Sequence, residues 1–201
     1  MKIRFRCQCG TVAGTIDTGG MSCRGSCYCL DCQAYARFLG DPKRVLDAAG
    51  GSEIIGVGPS RVEFTTGLGH VDCMTLTNRG PYRWFASCCR MPLGNTPRDP
   101  RASYVSMFRC ALVSPAREID AMFGQPTFRF SVKNATEPVQ PTRLAMALVI
   151  MKVVAMLVGR RVSGRWRGNP FFEADTHLPI RMPDELSKTS RFKLRGDIRR
   201  D

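Results

Sequence analysis

The chain has 201 residues, 43% hydrophobic and 23% charged, with 19 Gly and 13 Pro. These values fit one globular domain with or without a small appendage, and exclude wholesale disorder and a collagen-like repeat. Two numbers stand out, ten cysteines and a formal charge of +13, and the functional reading rests on them.

At the N-terminus Ile3 and Phe5 alternate with Lys2, Arg4 and Arg6, the period of a half-buried strand. The same stretch lacks an apolar run and is not a secretory leader, so the chain is expected to be cytoplasmic. A second strand is expected over 11–16, closed by the turn Asp17-Thr18-Gly19-Gly20. Cysteine-rich loops follow, in which Cys23 reads as a spare thiol. Further strands are expected over 61–65, 73–77, 82–86, 104–110 and 127–132. Turn signals separate them: Gly67-Leu68-Gly69, Asn78-Arg79-Gly80-Pro81 and Pro92-Leu93-Gly94-Asn95. This spacing predicts a mainly β, mainly antiparallel domain over residues 1–135.

Residues 134–141 read as a linker and 142–158 as a helix, with Thr142 at its N-terminus and Gly159-Arg160-Arg161 at its end. The apolar run from Leu144 to Val158 is interrupted by Lys152 and falls short of the about 20 residues of a membrane span. It reads as a buried helix, with shallow membrane association as the alternative. Residues 136–201 then form a C-terminal helix and a basic tail, packed on the β domain or extending from it. The last stretch, 184–201, is a short helix or a mobile end.

A reducing compartment makes ten cysteines a metal or redox set rather than a disulfide framework. The close spacings are Cys7-x-Cys9, Cys27-x-Cys29-x-x-Cys32 and Cys88-Cys89. In a tetrahedral zinc–thiolate site neighbouring sulfurs lie roughly 3.8 Å apart, a separation that tight turns of this kind supply. Counting ligands, Cys7 and Cys9 pair with Cys89, and with Cys88 by proximity, in a closed structural site. Cys27, Cys29 and Cys32 form a separate triplet whose fourth position stays open to water or substrate, as catalytic zinc requires. A purely structural zinc role for all three groups and an iron–sulfur cluster are the competing readings. Cys73 and Cys110, alone on expected strands, read as small buried hydrophobes.

The order and spacing of these cysteines resemble the glutathione-dependent formaldehyde-activating enzyme and centromere protein V family. The matching segments are Cys7-Gln8-Cys9-Gly10, Cys27-Tyr28-Cys29-Leu30-Asp31-Cys32 and Phe85-Ala86-Ser87-Cys88-Cys89-Arg90-Met91-Pro92-Leu93, within residues 1–135. The resemblance implies an Mss4-like β fold, a structural zinc on the first and last cysteine pairs, and a labile zinc on the triplet. It also implies carbon–sulfur lyase chemistry on a thiol or thiol–aldehyde adduct of glutathione type, with Cys27, Cys29 and Cys32 as the catalytic set. Four departures mark a divergent branch: Tyr28 replaces the family's histidine, Gln33 stands where an arginine often follows, Ala86 takes the first late cysteine position, and Cys88 sits beside Cys89.

His70 and His177 lie in loop contexts and read by default as solvated, with His70 the better ligand candidate. The positive charge supplies the rival function, a non-enzymatic zinc module that binds an acidic partner or nucleic acid through a basic face. Its best element is Arg165-Trp166-Arg167, where the indole either stacks on a base or covers the helix end, followed by the basic stretch 193–200. Arg37, Arg79, Arg83 and Arg90 lie near the cysteines in sequence and are candidates to bind an anionic substrate.

Overall fold

The computed structural model describes residues 1–196. It is a mainly β fold of two sheets. The first, of order β1-β2-β5, joins β1 (Lys2–Arg6), β2 (Ala13–Asp17) and β5 (Val62–Thr66), all antiparallel. Ile3, Phe5 and Ile16 point into the core while the intervening basic residues face out, as the alternation predicts.

The second sheet has eight strands, spanned from Cys23 to Glu185. In chain order these are β3 (Cys23–Cys27), β4 (Ser52–Val57), β6 (Val71–Thr75), β7 (Tyr82–Ala86), β8 (Met91–Thr96), β9 (Val105–Phe108), β10 (Phe128–Phe130) and β11 (Asp184–Glu185). Their spatial order is β10-β3-β4-β9-β8-β7-β6-β11, antiparallel except for the edge pairs β10–β3 and β11–β6.

Several elements depart from the sequence expectation. Residues 23–27 are an interior strand rather than a loop, and Cys23 is buried with its Sγ 3.7 Å from the Tyr104 hydroxyl. Helix α1 (Leu30–Phe38) and the short α2 (Pro42–Val45) follow it directly. Pro92-Leu93-Gly94-Asn95 is not a turn but most of β8: the register shifts between Trp84 and Phe85, so proline's missing N–H falls at an irregularity. Helix α3 (Ala116–Phe123) lies in a stretch without an expected element, and buries Ile119 and Phe123.

Helix α4 spans Arg143–Val162, four residues beyond the expected end, and Gly159 lies inside it. It is not a buried helix. Only Met156 and Arg160 are buried, because one face alone meets β3, β10 and the turn at 165–167. Thr142 is the N-cap residue, as expected, but its side chain makes no cap bond: its Oγ1 accepts instead from the Arg129 N–H. Among the described residues no helix is long and apolar enough to cross a membrane. The chain then returns to the body: Phe171 and Phe172 enter the main core against Trp84, β11 pairs with β6, and α5 (Lys188–Gly196) lies along α1 with Arg195 bonded to Asp31. Part of the basic stretch 193–200 lies outside the described residues.

Candidate metal centre and pocket

Two tight turns build the first thiol group. Cys7 ends β1, the Gly10 N–H bonds back to the Cys7 carbonyl, and Gly10 takes a left-handed φ of 85° that lets the chain reverse. Across the molecule, Cys88 and Cys89 occupy the turn between β7 and β8. The four Sγ atoms of Cys7, Cys9, Cys88 and Cys89 lie within 4.8 Å of one another. Individual separations are 3.5 Å for Cys7–Cys9, 3.8 Å for Cys7–Cys88 and 3.3 Å for Cys9–Cys88. These are the spacings of a thiolate tetrahedron, and the group can hold a metal ion. The Val12 N–H donates to Cys7 Sγ. The Thr11 hydroxyl and N–H, then Cys88, bring the Cys9 thiol down to about 6. Burial, with the neighbouring thiols, pushes Cys88 up to about 12.

The second group is Cys27, Cys29 and Cys32, again within 4.8 Å, with Cys27 Sγ 3.4 Å from Cys29 and 3.5 Å from Cys32. Cys27 closes β3, Cys29 is the N-cap of α1, and Cys32 lies in its first turn. Cys29 Sγ accepts the Cys32 N–H, so the triplet sits at a helix N-terminus, where backbone donors and the dipole favour thiolate. Within it, hydrogen bonds from Cys27 and Cys29, together with the Arg83 cation, hold Cys32 well below the usual thiol range. The bonds to Cys29 and Cys32, with burial, push Cys27 up. All ten cysteines are free thiols.

The two groups differ in what lies beside them. The triplet forms part of the wall of a pocket of about 550 Å³, shared with Arg79, Arg83, Asn95, Arg98 and Tyr104. Arg83 is 3% exposed, lies 5.0 Å over the Tyr35 ring and directs Nη1 to Cys32 Sγ at 3.9 Å. Its Nε and the Asn95 Oδ1 are buried with no protein partner.

Of the sequence candidates, Arg79 and Arg83 reach this pocket. Arg90 does not: it bonds the Phe38 and Leu39 carbonyls at the end of α1 and lies over the Phe38 ring. Arg37 lines a separate cleft with Gln33 and Asp47. Tyr28 bonds Asp47, and Gln33 is buried, donating to the Tyr28 and Asn134 carbonyls. Two of the four departures, Tyr28 and Gln33, thus tie the chain after Cys27 to the segments at Asp47 and Asn134. His70 is exposed and joins neither thiol group, while the His177 ring lies 5.1 Å from Trp166. Arg167 covers the same indole, leaving it engaged within the chain.

Sequence reasoning missed Asn95, Arg98 and Tyr104. Asn95 and Arg98 lie in or just after a segment read as a turn. Arg98 also pins the preceding loop through the Gly80 and Thr77 carbonyls. No local signal marks them, because pairing of β8 with β7 and β9 puts them beside the triplet.

A family model described as a family of unknown function, DUF6151, matches residues 2–179, which include both thiol groups and α4. No curated protein matches the chain. Among solved structures it is similar to the crystal structure of a Rhodobacter sphaeroides protein, at 15% identity and a TM-score of 0.42, covering 64% of this chain and 100% of that one.

Proposed function

The chain belongs to the DUF6151 family of unknown function, and from its geometry we propose that it is a zinc-dependent, carbon–sulfur lyase-like protein acting on a thiol or thiol–aldehyde adduct of glutathione type. One observation carries the reading: the Cys27, Cys29 and Cys32 triplet, suited to a metal, opens onto a pocket that Arg79, Arg83 and Arg98 make cationic. The resemblance of the cysteine pattern to the formaldehyde-activating family supports the same chemistry.

Cys7, Cys9, Cys88 and Cys89 would hold a structural zinc ion with four thiolates. Cys27, Cys29 and Cys32 would hold a second zinc with three ligands. That ion would supply Lewis-acid charge favouring a substrate thiolate over its thiol. The chain's own residues do the rest. The first turn of α1 donates the Cys32 N–H to Cys29 Sγ, and the neighbouring thiols with Arg83 favour the thiolate of Cys32. Arg79, exposed at the pocket, and Arg98 offer cations to the carboxylates of an anionic thiol. In the synthetic direction a carbon–sulfur bond forms, the carbonyl π bond breaks, and the thiol proton ends on the new hydroxyl. The sum is neutral and needs no oxidant.

The test is metal analysis of protein purified under reducing conditions, followed by an NMR assay of glutathione with formaldehyde. Two zinc equivalents and hydroxymethyl thioether formation accelerated over buffer are expected, with turnover abolished in Cys29→Ser. A single equivalent lost only on mutation of Cys7 or Cys89, or full turnover in Cys29→Ser, overturns the assignment.

A further inference from the structure

Helix α4 is largely apolar, yet among the described residues only one face packs on the body, against β3, β10 and the turn at 165–167. Leu144 is 78% exposed, Met151 60% and Val162 83%, and Leu148, Val154 and Val158 are each more than half exposed. At 3.6 residues per turn these six side chains fall within one arc of about 120°. Soluble monomers rarely leave so continuous an apolar stripe open to water. Its borders are charged: Lys152 flanks one edge, and Arg143 and Arg161 flank the other, all three exposed. Between Glu137 and Glu173 the chain carries six basic residues and no acidic one.

That charge pattern selects the occupant. A second copy would bring the same cations against the seam with no carboxylate on either helix to pair them, whereas coiled-coil flanks normally carry complementary charges. An anionic surface meets the borders with the opposite sign. We propose that α4 seats the protein on an anionic lipid bilayer, lying in the plane of the interface. The Leu144–Val162 arc enters the acyl boundary, and Arg143, Lys152 and Arg161 reach up to the headgroups. An apolar face with cations at both edges is the arrangement of an interfacial helix, and the opposite face remains anchored to β3 and β10. Each cation near an anionic surface adds about fivefold to partitioning, so the basic borders and the apolar arc act together.

The experiment is co-sedimentation of the full-length protein with vesicles of phosphatidylcholine alone and of phosphatidylcholine with phosphatidylserine. Binding to the serine-containing vesicles is expected, at least tenfold stronger than to the neutral ones and weakened by salt. The double variant Leu148→Glu/Met151→Glu, whose sites face solvent, should lose at least tenfold in binding while its far-UV circular dichroism stays that of the wild type. Lys152→Glu/Arg161→Glu should lose the preference for phosphatidylserine with the apolar arc intact. If the protein stays in the supernatant with both vesicles, or the Leu148→Glu/Met151→Glu variant binds as well as the wild type, the proposal fails. A dimer in analytical ultracentrifugation that this variant dissociates, together with no vesicle binding, overturns it in favour of a second copy.

Discussion

Cys29 joins two roles in one side chain. Its Sγ belongs to the triplet and also accepts the Cys32 N–H as the N-cap of α1. Serine retains a good cap but not a soft ligand, whereas alanine loses both. Cys29→Ser should therefore stay folded with a metal equivalent fewer, and Cys29→Ala should be less stable than Cys29→Ser by about 0.5–2 kcal/mol in urea denaturation. Equal stabilities would mean that the thiol caps nothing. Arg24 shows a different coupling. It is 6% exposed and bonds Glu53 and Asp120 at 2.6 Å each, and the Gly124 carbonyl at 2.7 Å. The hydrogen bond from Arg24, then that from Gln125, holds the Asp120 carboxyl below its ordinary value. A carboxylate lowered by folding contributes stability that is complete above its unfolded value near 4 and lost as pH falls through the folded one. Stability against pH should fall more gently on the acid side in Arg24→Met than in the wild type, and parallel curves would rule out this contribution.

Strand β3 shows how an element can be central without announcing itself. Gly25 and Ser26 have low strand propensity, and burial along β3 does not alternate. The strand forms because β4 and β10 hydrogen-bond its two edges. Gly25 is required there: a Cβ would strike the Phe128 carbonyl and ring. Gly25→Ala should destabilise by about 1–3 kcal/mol in urea denaturation and release β10, whose amides should then exchange faster with deuterium. An unchanged midpoint would show that β10 yields freely. By carrying Cys27 at its end, β3 also sets the height of the triplet above α1.

At the scale of the molecule, a metal held by the four-thiol group would fasten the end of the small sheet to the β7–β8 turn of the large one. Cys9 and Cys88 are 79 positions apart in sequence. A cross-link over that span removes on the order of 4 kcal/mol of unfolded-chain entropy, in the chain-entropy account. Stripping the metal with a chelator, or making Cys9→Ser, should lower the melting temperature or cause aggregation. A wild-type melting curve for Cys9→Ser would deny the cluster any structural role. The same thermal scan on Cys29→Ser should show a smaller change, since the triplet's three members lie within six consecutive residues of chain and close only a short loop.

What the sequence determined by itself was local. Alternation marked β1, because a period of two is written in neighbouring residues. Cysteine spacing marked the turns that offer paired thiols, because two residues one to three positions apart need only a turn to meet. The tertiary structure decided everything that depends on which distant segments touch. It brought Cys88 with Cys89 to Cys7 and Cys9, and made a strand of Pro92-Leu93-Gly94-Asn95 by pairing it on both sides. It placed Asn95 and Arg98 beside the triplet and left one face of α4 in the open. A helix apolar on every side says in sequence that it seeks apolar neighbours. Only the packed fold shows that this chain provides them for one face and not the other.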